Sequence, residues 1–153
     1  MKIIASIDYG KSSGLIIAKV IVDTKTIFLS NVYTGTILEE NIPLVIWLVE
    51  SYYCDNVILE RCPSQAVGYN RRAYDDIRRE LLQAGFTFGN IKENKTFALI
   101  GPGIWKPFMK KSAIHCPNYF NLFTRHEKDA ANMLLYAIQI TWKNKKIKFL
   151  EKD

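Results

Sequence analysis

The stretch IIASIDYGKSSG, residues Ile3 to Gly14, runs small and apolar side chains straight into an acid and then into a cluster of Gly, Lys and Ser. A second apolar run, LIIAKVIV, follows from Leu15. Short apolar runs bounded by glycine form buried strands, so the pattern predicts two paired strands with Asp8 at the end of the first. There a rigid sheet would hold the carboxylate. A turn-forming or capping Asp is the plainer alternative, because Asp commonly serves turns.

Beyond this stretch, Thr26 to Tyr33 is rich in β-formers and predicts a third strand that closes an antiparallel meander. Thr36 with Glu39 has capping-box spacing and opens a predicted helix to about Tyr53, with Pro43 near enough to its start to be tolerated. Asn56 to Glu60, NVILE, is a short apolar strand that again ends on an acid. Tyr69 to Ala84 is amphipathic, carries Arg71, Arg72, Arg78 and Arg79, and stops at Gly85. Phe86 to Asn94 has no clear periodicity. Thr96 to Ile100 predicts a fifth strand ended by GPG, and IWKPFMKKS a short helix broken at Pro107. After an aromatic loop, His115 to Phe123, a second capping box at Thr124 and Glu127 opens a helix expected to reach about Trp142. Residues 143–153 are basic and are expected to fray.

The chain of 153 residues is expected to be one domain, large enough to bury a core without staples. No apolar run approaches the roughly 20 residues of a membrane span, and the first ten residues lack the basic start and cleavage site of an export signal. Cys54, Cys62 and Cys116 form no C-x-x-C pair, which argues against a disulfide framework or structural zinc and fits a reducing cytoplasm. Charge is unevenly placed. Residues 1–60 carry four lysines against seven acids, whereas residues 61–153 carry seventeen Lys or Arg against eight acids. That asymmetry points to a polyanionic partner met by the second half, the alternative being solvated helix faces.

Asp8 ends the first predicted strand and Glu60 the fourth, while His126 and Asp129, at i and i+3, share one face of the last helix. Three acids on rigid elements suit hard divalent cations. Two such ions roughly 3.5–4 Å apart activate water and stabilise the leaving oxyanion in phosphodiester hydrolysis. The plainer reading of His126 and Asp129 is a capped first turn, where the macrodipole favours acids. Glu60 is harder to dismiss, because a carboxylate after Val57-Ile58-Leu59 is costly to bury without a partner.

The IDYG turn, the VILE strand end and the HEKDAANMLLYA helix, in this order, resemble the RNase H-like nucleases, and among them the RuvC-type Holliday junction resolvases. The resemblance spans nearly the whole chain and implies an α/β RNase H-like fold with a mixed five-stranded sheet and helices on both faces. It also implies a metal-dependent endonuclease acting on branched DNA such as four-way junctions, using two Mg²⁺ or Mn²⁺ ions, as a homodimer. Asp8 would bridge the metals, with Glu60 and Asp129 each holding one. His126 would be a ligand better suited to manganese than magnesium, or else a proton carrier. Lys106, Lys110 and Lys111 resemble the basic face such enzymes present to DNA. Lys11, in the turn after Asp8, and Arg71, Arg72, Arg78 and Arg79, flanking the cleft, are further DNA-contact candidates, the alternative being solvated surface charge. Tyr69 and Tyr119 are candidates to stack on unpaired bases, the alternative being core or interface packing. The loop after Glu60 and the segment Phe86 to Lys95 match nothing in that pattern.

Three other readings compete. An RNase H-fold nuclease acting on other DNA or RNA would share the site. Actin-like and sugar-kinase ATPases open with a similar Asp and Gly turn, but no D-x-G-x-G phosphate loop occurs here. A non-catalytic nucleic-acid-binding protein would keep the basic half with a dead site, against which all four candidate residues stand.

Overall fold

The computed structural model describes residues 1–38 and 41–150. The opening apolar runs form β1 (Lys2–Asp8) and β2 (Ser13–Val22), which pair antiparallel, and β3 (Thr26–Ile37) completes the meander. Helix α1 (Ile42–Ser51) leads to β4 (Asn56–Glu60), parallel to β1. Helix α2 (Tyr69–Gln83) ends at Gly85, whose φ of 93° is the left-handed stop the sequence predicts. Then come β5 (Thr87–Phe88), β6 (Thr96–Ile100), α3 (Trp105–Lys111), a 3-10 turn over Asn118–Leu122, α4 (Arg125–Thr141) and β7 (Lys146–Phe149). The sheet order is β5-β6-β4-β1-β2-β3-β7.

The mixed sheet with helices on both faces is as expected, but among the described residues it has seven strands rather than five. The two extra strands are edges. β5 is two residues long, below the length at which alternation can be read. β7 lies in the tail expected to fray. Its lysines hid a strand: Lys146 and Lys148 are exposed while Ile147, between them, is 7% exposed and packs into the core. Edge lysines of this kind also discourage pairing with another chain. Residues 151–153 lie outside the described residues.

Two further expectations need correction. Thr36 does not cap α1. It belongs to β3, and Asn41 is the cap, its side chain accepting from the Leu44 N–H; Glu39 lies outside the described residues. Pro107 does not break α3, because it falls in the first turn, where a backbone N–H has no helical partner to lose.

The two faces of the sheet bury different cores. Ala5, Ile7, Val57 and Leu59 pack with Val45, Val49, Ile77 and Leu81 of α1 and α2. Ile4, Ile16, Ala18 and Ile58 pack with Ala130, Leu134 and Ile138 of α4. Side chains alternate along a strand, so even-numbered residues of β1 and β4 face α4. Asp8 and Glu60 are even-numbered.

Candidate active site

β1 and β4 run parallel with Ile7 opposite Leu59, so the next residue of each, Asp8 and Glu60, emerges at the same end of the sheet. Strand pairing and two-residue alternation thus bring two acids side by side on the α4 face. Helix α4 then delivers His126 and Asp129 to that place. Its start is fixed by the predicted capping box: Thr124 Oγ1 accepts from the Glu127 N–H at 3.2 Å, and Glu127 Oε1 accepts from the Thr124 N–H at 3.1 Å. Thr36 fastens this turn to β3, donating to Glu127 Oε2 at 2.6 Å and meeting Thr124 Oγ1 at 2.8 Å.

His126 Nδ1 lies 2.9 Å from Asp8 Oδ2, joining residues 118 positions apart. Burial, above all, raises the Asp8 pKa from its ordinary value. The His126 hydrogen bond pulls it down, and the charges of Asp129 and Glu60 push it up again. Both other carboxylates are therefore near enough to act on Asp8. Glu60 is gripped separately: its Oε2 accepts from the Gly103 N–H at 2.8 Å and from the Trp105 indole N–H at 2.7 Å. Tyr9 donates to the Glu60 backbone carbonyl at 2.6 Å and further fixes the end of β4.

Among the described residues, no three His, Cys, Asp or Glu side chains are grouped so as to enclose a metal ion in this arrangement. The donor chemistry nonetheless fits a hard divalent cation. Three carboxylates and one imidazole are present, two of them in direct contact, and the half-buried Asp8 carboxylate carries excess negative charge around it that a cation would offset.

Basic residues border this place on two sides. Lys106 and Lys110 share with Asp129 and Asn132 the lining of a cavity of about 440 Å³, and Lys106 Nζ lies 5.4 Å from the Trp105 ring centroid. Lys111 follows them, exposed, in the last turn of α3. On the other side, Lys11 and Arg72 lie 5.5 and 4.7 Å from the centroid of the half-exposed Tyr69 ring. The remaining arginines of α2 are engaged on their own helix. Arg71 pairs with Asp75 and Arg79 with Asp76, while Arg78 stands over the Tyr74 ring. Tyr119 is half-buried in a cluster with Phe120 and Phe123.

Three further participants are not among the residues the sequence singles out. Gly14 is the register partner of Asp8 and sits against the His126 backbone. A glycine inside a strand run signals such close approach, and that signal was present between Ser13 and Leu15. Trp105 and Gly103 hold Glu60; a tryptophan that is 5% exposed needs an N–H partner, but nothing local in the sequence says which.

No protein-family profile and no characterised protein sequence matches the chain, so its similarity to known proteins is one of structure. RuvC of Thermus thermophilus superposes with a TM-score of 0.62 at 14% identity, over 91% of this chain and 95% of that one. The fowlpox virus Holliday junction resolvase gives 0.58 at 19% identity, over 92% and 99%. The fowlpox resolvase in complex with its substrate, Holliday junction DNA, gives 0.56 at 16% identity, over 92% and 99%. The fold is that of the RuvC-type resolvases. No helix among the described residues is long and apolar enough to cross a membrane.

Proposed function

We propose that this protein is a metal-dependent endonuclease that cuts branched DNA, with four-way junctions as its substrate. The observation that carries this reading is that Asp8 and Glu60 end neighbouring parallel strands while His126, from the first turn of α4, bonds Asp8 at 2.9 Å and the charge of Asp129, one turn on, acts on the same carboxylate. The similarity in fold to resolvases, one of them in complex with a Holliday junction, supports the choice of substrate.

Asp8, Glu60 and Asp129 would hold two Mg²⁺ or Mn²⁺ ions, with His126 the fourth ligand. When bound, such ions activate water and stabilise the leaving oxyanion of a phosphodiester. The chain itself contributes position and charge. Asp8 is held by His126, and Glu60 by Gly103 and Trp105, so neither carboxylate has to be ordered when substrate arrives. Lys106, Lys110 and Lys111 on one side, and Lys11 with Arg72 on the other, would bind the DNA backbone, and Arg71 lies next to this second group. The half-exposed Tyr69 would stack on a base unpaired at the branch point. A symmetric junction is resolved by two nicks, and a homodimer would supply them.

The test is a substrate panel with Mg²⁺ or Mn²⁺: four-way junction, three-way junction, flap, linear duplex and RNA hybrid. Preferential cutting of the four-way junction, abolished by chelation, supports the reading. Cleavage confined to RNA hybrids, or none with either metal, overturns it.

A further inference from the structure

The grip on Glu60 is the most specific polar arrangement near the site. Both donors, the Gly103 N–H and the Trp105 indole, reach the same oxygen, Oε2, and among the described residues no hydrogen bond engages Oε1. The donors are themselves fixed. Trp105 is 5% exposed and packed in the core under α4, and Gly103 has φ of 71°, a backbone state that glycine adopts without strain. The segment carrying both, Gly103 in the loop and Trp105 at the start of α3, leaves β6 opposite Glu60, where Ile100 is its register partner and the Arg61 N–H bonds the Ile100 carbonyl at 2.8 Å. A buried indole can satisfy its N–H on any carbonyl. Here it takes a carboxylate at the end of a strand beside Asp8.

We infer that Trp105 is a positioning residue for Glu60: it fixes one carboxylate oxygen so that the other is presented to a divalent cation. This rests on the nuclease reading of the site. A ligand carboxylate held by such a partner binds metal better because its rotation is already arrested, and loss of partners of this kind lowers metal affinity by about 10- to 100-fold.

The experiment uses the full chain. Trp105→Phe keeps an aromatic ring in the core and removes the N–H together with the rest of the five-membered ring, a loss of packing that thermal stability reads and metal affinity does not. Calorimetric titration with Mn²⁺ should show an affinity at least about tenfold weaker than wild type, and junction cleavage should recover as Mn²⁺ is raised. Folded Trp105→Phe with wild-type Mn²⁺ affinity overturns the inference, because a purely structural tryptophan would change thermal stability and leave metal affinity alone. A second measurement serves if that variant does not fold. In ¹⁵N-labelled wild type, the Trp105 indole N–H resonance, separated from the other two by Trp47→Phe and Trp142→Phe, should move on Mg²⁺ saturation and on Glu60→Gln. A Trp105 resonance unmoved by Mg²⁺ that does bind overturns the inference. Wild type that neither binds these metals nor cuts DNA overturns the nuclease reading itself and this inference with it.

Discussion

Gly14 lies directly beneath the backbone of His126: a β-carbon at Gly14 would overlap the His126 carbonyl group and stand 2.7 Å from the Glu127 nitrogen. Because Gly14 is also the register partner of Asp8, the sheet is bare at the point where α4 descends onto that carboxylate. The 2.9 Å approach of His126 to Asp8 depends on this gap in the side-chain layer.

Gly14→Ala should therefore push the start of α4 off the sheet. Overpacking of this kind costs about 1–3 kcal/mol, and a displacement near 1 Å in a catalytic group lowers the rate roughly 100-fold. Thermal unfolding and single-turnover junction cleavage check both. Wild-type stability and rate in this variant would show that the helix can relax without consequence.

Burial and two neighbouring carboxylates raise the Asp8 pKa in the folded protein, and His126 only partly offsets them. The folded state then binds a proton more readily than the unfolded state. As pH rises from the ordinary carboxylate range through the raised folded value, Asp8 ionises at a cost to stability, and above that window the cost is complete. Asp8→Asn should thus raise the melting temperature of the metal-free protein at neutral pH, with the gain fading in acid. A calorimetric series across pH with chelator present reads it directly; a lower melting temperature at neutral pH would contradict this electrostatic explanation.

His126→Asp sets a second carboxylate against Asp8 in place of the imidazole. Without metal, like charges at this distance should lower the melting temperature. With metal, a carboxylate suits the harder ion, so cleavage should shift toward Mg²⁺ relative to the Mn²⁺ preference expected of wild type. Equal losses of rate in both metals, with a displaced acidic limb of the pH profile, would instead identify His126 as a proton carrier.

Neutralising Lys106, Lys110 and Lys111 together should flatten the dependence of junction affinity on salt. Each phosphate that is no longer neutralised takes about 0.9 off the slope of log K against log salt, so the triple variant should differ from wild type by roughly 2–3 in slope. An unchanged slope would move the binding surface to Lys11, in the turn after β1, and to Arg72 with the other arginines of α2.

Most of this architecture is legible in the sequence because it depends on local signals. Asp8 and Glu60 end apolar runs, Thr124 and Glu127 form a capping box, and Gly85 stops a helix, so strand ends and helix starts can be placed without knowledge of any tertiary neighbour. What stays hidden is non-local or contradictory at short range. β7 hides between lysines, Thr36 has capping-box spacing but spends its hydroxyl on Glu127 91 residues away, and Trp105 reaches Glu60 across 45 residues. Neither partner announces the other in sequence.

That Asp8, Glu60 and Asp129 together hold the metal that cuts DNA is best tested by single-turnover cleavage and binding of an end-labelled four-way junction. The proteins are wild type, Asp8→Asn, Glu60→Gln and Asp129→Asn, each in Mg²⁺ and in Mn²⁺. Each variant should fold and bind the junction with near wild-type affinity while cleavage falls by at least about 1,000-fold, because removing a ligand takes away transition-state stabilisation and leaves the backbone contacts intact. Full cleavage by any of the three would remove that residue from the site, and full cleavage by all three would contradict the metal-nuclease mechanism.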